Sequence, residues 1–155
     1  MGINNGIRTG DLLKLKVGQV KYLKTGSTLS IRESKTKKEN FIVINKSVFK
    51  ALQYFLSAVK PADANFLFSS RKGYSALTVS SVNKLIKKWT GAINLRGNYG
   101  AHTLRKTWGY HQRVTFGVGF EIISKRFNHS NPAITMRYIG IEDKEVHDTL
   151  MNEIG

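Results

Sequence analysis

The clearest pattern in the first third of the chain is an alternation of apolar and polar positions. Over residues 28–33 the side chains of Leu29 and Ile31 fall on one face, which is the spacing of a half-buried β-strand. A short apolar run at residues 41–44 follows a polar, basic segment at residues 34–40. The pattern predicts an antiparallel pair of strands joined by a lysine-rich turn.

Helical spacing covers most of the remaining chain, with apolar residues recurring every three or four positions between polar caps, prolines and glycines. The first predicted helix is capped by Thr9, with Asp11 in its first turn and Leu12, Leu13 and Leu15 buried; the second runs through Val48, Leu52, Phe55 and Leu56 and ends before Pro61. The third runs through Val79, Val82, Leu85, Ile86 and Trp89, the fourth from about His102 toward Gly117, and the fifth over about 119–127. A short sixth helix is opened by Asn131 and Pro132, and the last, amphipathic helix covers 142–154 with Val146, Leu150 and Ile154. The expected fold class is a mainly helical α+β domain with a small antiparallel β-sheet at one edge.

Length and charge narrow the possible partners. A chain of 155 residues fits one domain with a real core, and 41% hydrophobic residues argue against disorder. With 25 basic and 10 acidic residues the formal net charge is +15, which indicates a polyanionic partner, most often nucleic acid. Ribosomal and membrane-surface proteins share such an excess, so charge alone assigns no function.

The same composition excludes several kinds of site. The chain has no cysteine, which excludes disulfides, thiolate zinc sites and a cysteine nucleophile. It shows no signal-peptide pattern and no apolar stretch approaching 18 residues. We therefore expect a soluble, cytoplasmic protein that does not contact a membrane.

The candidate chemistry lies in an ordered set of cations, imidazoles and one hydroxyl nucleophile, which together could break a phosphodiester without a metal ion. The set is Arg8, Lys35, His102, Arg105, His129 and Tyr138. Its order and spacing, over about residues 6–140, resemble the catalytic domain of the tyrosine recombinases, the phage-integrase family. A single H-x-x-R is common, whereas several matches in the right order seldom arise by chance.

Two of the matches are arginines. His102 and Arg105 are three residues apart on a predicted helix and share a face, and an arginine fork can donate two hydrogen bonds to a phosphate. Arg8, followed three positions later by Asp11, resembles the first arginine motif of the family, with Asp11 as a supporting residue. Without the resemblance, a solvated helix start and a surface arginine in a capping turn would explain these residues as well.

The resemblance assigns Lys35, on the hairpin turn, as the catalytic lysine, with Lys37 and Lys38 as close competitors. A charged turn that keeps a sheet edge soluble is the alternative. Tyr138 follows His129 by nine positions, which resembles the spacing between the last histidine of the family and its nucleophile. A half-buried core tyrosine is the alternative there.

The resemblance implies a DNA breaking-and-rejoining enzyme that forms a 3′-phosphotyrosyl intermediate at Tyr138. The two arginines and His129 would hold the phosphate, His102 would act as acid or base, and Lys35 would protonate the leaving 5′ oxygen. We expect no cofactor and no metal, because the 27-residue separation of His102 and His129 matches no zinc pattern and acidic residues are scarce.

Double-stranded DNA is the expected partner. Candidate backbone contacts, besides Lys37 and Lys38, are Arg71, Lys72, Lys84, Lys87 and Lys88. The last helix is amphipathic enough to pack onto a neighbouring subunit, which predicts a homo-oligomer, tetrameric in the synapse on DNA. The family's N-terminal core-binding domain is expected to be absent, so residues 1–155 form the catalytic domain alone.

Two other readings stay open. A type IB topoisomerase would use the same chemistry without an obligate partner site. A non-catalytic DNA-binding remnant of the same fold would bind DNA without forming an adduct, and the expected absence of the N-terminal domain favours it. The DNA site, the direction of recombination and the accessory factors are not encoded in any pattern of this sequence.

Overall fold

The structure, a computed structural model, describes residues 1–71, 75–140 and 147–153. Its elements, in chain order, are α1 Gly2–Asn5, α2 Thr9–Leu12, β1 Thr28–Arg32, β2 Glu39–Val43, α3 Lys46–Val59, α4 Val79–Ala92, α5 Ala101–Val114, α6 Phe120–Phe127 and α7 Pro132–Ile139. A 3₁₀ turn at Val17–Gln19 follows α2, and residues 147–150 are helical. The predicted mainly helical α+β fold with one small antiparallel sheet is confirmed.

The two strands pair as the alternation predicts. They are antiparallel, in a register that runs from Thr28 opposite Val43 to Arg32 opposite Glu39. Leu29 lies opposite the fully buried Ile42, so one face of the hairpin closes over the core while the other faces solvent. The hairpin turn leaves the sheet at one end, pointing toward α5 and α7, with which its residues share a cleft.

Apolar side chains gather in two clusters. The larger joins α2, the hairpin and α3 through Ile7, Leu12, Leu15, Val17, Val20, Ile42, Ile44, Val48, Leu52 and Leu67. The smaller lies between α5, α6 and α7 and contains Ile123, Phe127 and Ile139. At Gly109 of α5 a Cβ atom would lie 2.8 Å from the Phe127 ring and 2.9 Å from Ile139, so only glycine permits this close approach. The absence of a side chain at Gly109 therefore lets α5 pack closely against the elements that carry His129 and Tyr138.

Several predicted helix ends are correct, and one is wrong. The side chain of Asn131 accepts from the backbone N–H of Ile134 at 3.1 Å, with Pro132 at the first helical position, as predicted. Thr9 was expected to cap α2, but Arg8 occupies the cap position and the Thr9 hydroxyl donates instead to the Ala101 carbonyl at 2.9 Å. This tertiary bond ties α2 to the start of α5.

Two of the apolar positions that mark the predicted helices are exposed. Trp89, one of the apolar positions that mark α4, is 60% exposed. In the predicted last helix Leu150 is 80% exposed, while Val146 and Ile154 lie outside the described residues. Intrachain packing therefore leaves the described apolar position of that segment uncovered.

Candidate active site

A cleft of about 450 Å³ opens between the hairpin turn, the start of α5 and α7. Its lining includes every residue that the sequence assigns to catalysis: Arg8, Lys35, His102, Arg105, His129 and Tyr138. Thr36, Asn128, Ser130 and Ile134 complete the described lining. The fold thus brings together side chains that are scattered along most of the chain, and their individual roles stay predictions.

The two arginines share one anchor. Arg105 Nη2 donates to the Phe127 carbonyl at 2.6 Å, and Arg8 Nη2 reaches the same oxygen at 3.4 Å. This carbonyl ends α6, where Asn128 adopts the left-handed conformation, so it lies at the negative end of the helix. The Arg105 guanidinium also lies over the Phe127 ring, 4.4 Å from its centroid. Both guanidiniums are therefore held beside each other at the cleft.

Arg105 is buried with its charge. Burial, and then the neighbouring charge of Arg8, lower the pKa of Arg105 to about 10, so the guanidinium stays protonated at neutral pH. Its Nη1 has no hydrogen-bond partner among the described residues and lies 4.0 Å from Glu33 Oε1. Nη1 thus faces the buried Glu33, while the guanidinium as a whole lines the cleft, where a fixed cation is suited to an oxyanion such as a phosphate.

Sequence reasoning missed Glu33, which lies with its carboxylate fully buried behind the arginines. The carboxylate forms an ion pair with Arg8 Nη1 and accepts hydrogen bonds from Thr36 Oγ1 at 2.6 Å and Asn40 Nδ2 at 2.9 Å. Burial opposes ionisation, yet hydrogen bonds from Thr36, Asn40 and Asn128, together with the charge of Arg8, lower the pKa of Glu33. The carboxylate is therefore an anion inside the protein.

A signal for Glu33 exists in the alternation of β1. Leu29 and Ile31 face the interior, and Glu33 is the next residue of the same parity. A glutamate that follows a strand looks like a surface turn residue, so the alternation has to be extended one residue past the end of β1 to predict that Glu33 is buried.

Asp11 contacts the hairpin turn, and its supporting role in catalysis stays a prediction. Its Oδ1 accepts from the backbone N–H of Ser34 at 2.9 Å and from the Ser34 hydroxyl at 2.6 Å. Lys14 Nζ also donates to that hydroxyl, at 2.6 Å. These bonds fix the residue that precedes Lys35, and so they hold the turn that carries the lysine.

The structure separates the three competing lysines. Lys35 lines the cleft, whereas Lys37 and Lys38 are exposed and are not among the described residues that line it. Lys37 has a left-handed backbone, with φ 58°, and its carbonyl accepts from Arg32 Nε at 2.9 Å. Lys35 is accordingly the one of these three lysines that lines the described cleft together with Arg8 and Arg105.

His102 lies in the first turn of α5 and is exposed. It lines the cleft and also an adjoining pocket of about 310 Å³ that contains Lys14, Ser34 and Lys35. The two openings therefore meet at His102 and Lys35, and a long polyanion could run from one into the other.

His129 is oriented through buried hydroxyls. Its Nδ1 lies 2.9 Å from Thr135 Oγ1, which in turn lies 2.6 Å from Ser124 Oγ. Burial, followed by the charges of Arg105 and Arg8, lowers the pKa of His129 below its ordinary value of 6.5. The imidazole is therefore mainly neutral near pH 7, with a single N–H to offer.

Tyr138 lies near the end of α7, half-buried. Its ring contacts Phe127, with centroids 5.6 Å apart, and Lys106 Nζ lies 5.2 Å from the ring centroid. Burial raises the pKa of Tyr138, and the charges of Arg105 and Arg8 act in the opposite direction. A protonated phenol thus lies within the field of both arginines, at the place where a phosphate would bind.

Comparison with known proteins identifies the family. The sequence model of the phage integrase family matches residues 2–145. The chain belongs to the phage integrase family. This tyrosine recombinase is 35% identical over 144 residues to the probable integrase/recombinase YoeC of Bacillus subtilis (strain 168), covering 92% of this chain and 75% of that protein. It is 23% identical over 145 residues to a tyrosine recombinase of Pseudothermotoga lettingae, covering 94% of this chain and 49% of the relative.

Solved structures show the same fold. The XerA recombinase superposes with a TM-score of 0.76 at 20% identity, covering 99% of this chain and 56% of that chain. A XerH site-specific recombinase in a post-cleavage complex superposes with a TM-score of 0.75 at 21% identity, covering 96% of this chain and 42% of that chain. The chain thus spans about half of these structures. The predicted family and fold are confirmed, and the family comprises enzymes that cleave and rejoin DNA.

The predicted DNA-contact residues lie on the surface where they are described. Lys84, Lys87 and Lys88 are exposed along α4, and Arg71 is exposed in the preceding segment. Lys72 lies outside the described residues. The first residue of α4, Val79, lines the pocket that adjoins the cleft. The α4 lysines therefore extend from the site along one helix, and their contact with DNA stays a prediction.

The described residues lack two kinds of feature. They contain no group of three or more histidine, aspartate or glutamate side chains placed to hold a metal ion. Within the same residues, no helix combines the length and apolar character needed to cross a bilayer.

Proposed function

We propose that this tyrosine recombinase domain cleaves one DNA strand by attack of the Tyr138 hydroxyl on a phosphodiester. The new bond joins the tyrosine oxygen to phosphorus, the bond from phosphorus to the 5′ oxygen breaks, and a 3′-phosphotyrosyl linkage remains. One observation carries the proposal: Tyr138 and two charged arginines line a single cleft, close enough for both arginine charges to act on the phenol.

The cations of the cleft divide the work on the phosphate. Arg8 and Arg105 bind the non-bridging oxygens and stabilise the charge that develops on them. Lys35 donates a proton to the departing 5′ oxygen from the hairpin turn. His102, at the exposed start of α5, accepts the proton that the attacking phenol loses and returns it when the tyrosine leaves.

The hydroxyl chain behind His129 accommodates the tautomer that the reaction needs. If Ser124 donates to Thr135 and Thr135 donates to His129 Nδ1, the neutral ring carries its proton on Nε2. That N–H is then free to donate to a phosphate oxygen. The buried hydroxyl pair thereby determines which nitrogen faces the cleft.

Rejoining reverses the chemistry. A 5′ hydroxyl from another strand attacks the phosphotyrosine, and the Tyr138 oxygen leaves, so no cofactor is consumed. Site-specific strand exchange requires several active sites on one DNA, and a homo-oligomer, tetrameric in the synapse, is the proposed assembly. XerH, the Tn1549 integrase and lambda integrase were solved bound to their DNA sites, which supports double-stranded DNA as the partner of this chain. A cytoplasmic location is part of the proposal.

A covalent trap tests the proposal. Wild type and Tyr138→Phe are mixed with nicked candidate-site DNA, quenched with detergent and examined for a boiling-resistant adduct on the 3′ phosphate. We expect the adduct with wild type and its loss in the variant, with DNA binding nearly unchanged. Binding to a verified site without any adduct would favour a DNA-binding remnant, and relaxation of any supercoiled plasmid would favour a topoisomerase.

A further inference from the structure

A buried carboxylate stands between the arginines of the cleft and the rest of the protein. Glu33 is the anion in both ion pairs that the described residues form with these arginines, through Oε2 to Arg8 and through Oε1 to Arg105 at 4.0 Å. Its side chain is fully buried, so it does not line the cleft itself. It contacts the phosphate-binding groups from behind.

Two like charges held together need such a partner. Arg8 and Arg105 both reach the Phe127 carbonyl, so two like charges lie side by side. Burial first, and then the charge of Arg8, lower the pKa of Arg105. The charge of Glu33 acts on Arg105 in the opposite direction and so offsets both burial and repulsion. Without an anion at this place, one guanidinium would turn out toward water.

The carboxylate is itself held rigidly. Asn40 donates to Glu33 Oε1 from β2, and the opposite end of that amide accepts from Arg126 Nη1 at 2.6 Å. Arg126 is fixed by the Asn5 carbonyl at 2.6 Å and the Phe41 carbonyl at 2.7 Å. The orientation of the carboxylate is thus tied to α1, β2 and α6.

We propose that Glu33 is a positioning residue of this active site: it sets the spacing and orientation of the Arg8 and Arg105 guanidiniums before DNA binds. The proposal rests on the proposed function, because it assigns these arginines to the scissile phosphate. Glu33 touches neither the substrate nor the nucleophile, and it acts through the arginines. Misplacement by about 1 Å at such a site can cost about a hundredfold in rate.

The test replaces Glu33 by glutamine, which keeps the size of the side chain and removes its charge. Glu39→Gln is the matched control, since it makes the same change at an exposed position of the same hairpin. We expect Glu33→Gln to slow single-turnover adduct formation about a hundredfold with little change in the dissociation constant for DNA, while Glu39→Gln cleaves like wild type. Cleavage at the wild-type rate by Glu33→Gln overturns the proposal.

A double-mutant cycle shows whether the effect passes through the arginine. If Glu33 positions Arg8, glutamine at position 33 should cost much less rate in an Arg8→Ala background than in wild type. Losses that simply multiply would overturn the positioning role. Should Glu33→Gln fail to fold, Thr36→Val, which removes the hydroxyl donor to Glu33 Oε2, should give a smaller loss with the same coupling to Arg8.

A readout without DNA separates failure of this proposal from failure of the proposed function. The side-chain nitrogen signals of Arg8 and Arg105, followed by NMR in the full chain, should shift or broaden in Glu33→Gln and stay unchanged in Glu39→Gln. Unchanged signals in both variants would overturn the positioning role. A wild type that binds its site without forming an adduct would instead overturn the proposed chemistry.

Discussion

The rings of His129 and Tyr138 meet edge to face, with centroids 5.3 Å apart and planes at 83°. The nine-residue interval closes because Asn128 ends α6 in the left-handed conformation and Asn131 caps α7 immediately afterwards. Thr135, one turn before Tyr138 on α7, also holds His129 Nδ1. One two-turn helix therefore carries the nucleophile and orients the histidine beside it, so a change at Thr135 should be felt by both.

Thr135→Val tests this coupling. Valine keeps the shape of the side chain but leaves the Ser124 hydroxyl and His129 Nδ1 without their partner. We expect a loss of about 1–3 kcal/mol in the free energy of unfolding and slower cleavage. Thr90→Val is the matched control, since the Thr90 hydroxyl bonds only to carbonyls of its own helix in the described structure. A cleavage rate unaffected by Thr135→Val would separate His129 from the reaction.

The lowered pKa of His129 predicts a pH-dependent stability. Between the folded pKa and 6.5 the unfolded chain binds more protons, so the free energy of unfolding rises with pH through that window. The contribution of His129 to the free energy of unfolding is fully present above pH 6.5 and is lost as the pH falls through the folded pKa. The melting temperature of wild type should therefore fall on acidification below about pH 6.5, and His129→Gln should flatten this slope.

His111→Gln is the control for that experiment. Its ring is exposed and bonds to Thr115 of its own segment, outside the cleft. The control should keep the wild-type slope, and an unchanged slope in His129→Gln would contradict the assignment of the effect to burial beside the arginines.

The sequence predicted the parts of this domain that depend on local pattern. Alternation at Leu29 and Ile31 gave β1, and the Asn131-Pro132 pair gave the start of α7. Order and spacing also selected the cleft residues, because the family pattern records which segments meet. Contacts between distant segments left no local trace: the Thr9 hydroxyl bonds to Ala101 instead of capping α2, and Arg126 reaches Asn5 across the chain.

Exposure was the other point where pattern was insufficient. Trp89 lies three positions after Ile86, the buried residue of α4, yet its position near the end of the helix leaves it in solvent. Glu33 shows the reverse: this charged residue is buried because a cationic partner, Arg8, and an amide partner, Asn40, bind its carboxylate in the interior. Burial of a charge depends on partners far away in sequence, which periodicity cannot supply.

Lys35 should be separable from its neighbours by leaving-group chemistry. If Lys35 protonates the 5′ oxygen, Lys35→Ala should slow cleavage by about 10²–10⁴-fold. A substrate whose bridging 5′ oxygen is replaced by sulfur needs no such proton, because a thiolate leaves readily, and it should restore most of the rate. Lys37→Ala and Lys38→Ala are matched controls: at protein concentrations that saturate the DNA, which offset any weaker binding, they should cleave both substrates like wild type. Equal losses on both substrates would assign Lys35 to phosphate binding instead.

Arg105→Lys tests the value of the guanidinium fork. Lysine keeps the positive charge but cannot hold the Phe127 carbonyl and a phosphate oxygen together. We expect single-turnover cleavage to fall about 10²–10³-fold, the cost of removing one preorganised donor. Arg96→Lys, in the exposed segment before α5, should cleave like wild type. A fully active Arg105→Lys would show that charge alone suffices at this position.

The α4 lysines should act through phosphate charge without reading bases. If Lys84, Lys87 and Lys88 each neutralise one phosphate, each alanine variant should reduce the slope of log binding constant against log salt by about 1. The reduction should be the same on specific and random duplexes, since backbone contacts carry no sequence information. Lys50→Ala is the control, because α3, described throughout, contributes no residue to the cleft lining that the structure describes. An equal reduction of the salt slope in Lys50→Ala would show that the excess of basic residues attracts DNA without a defined site. A reduction confined to the α4 variants would place the DNA along that helix, next to the pocket lined by His102 and Lys35.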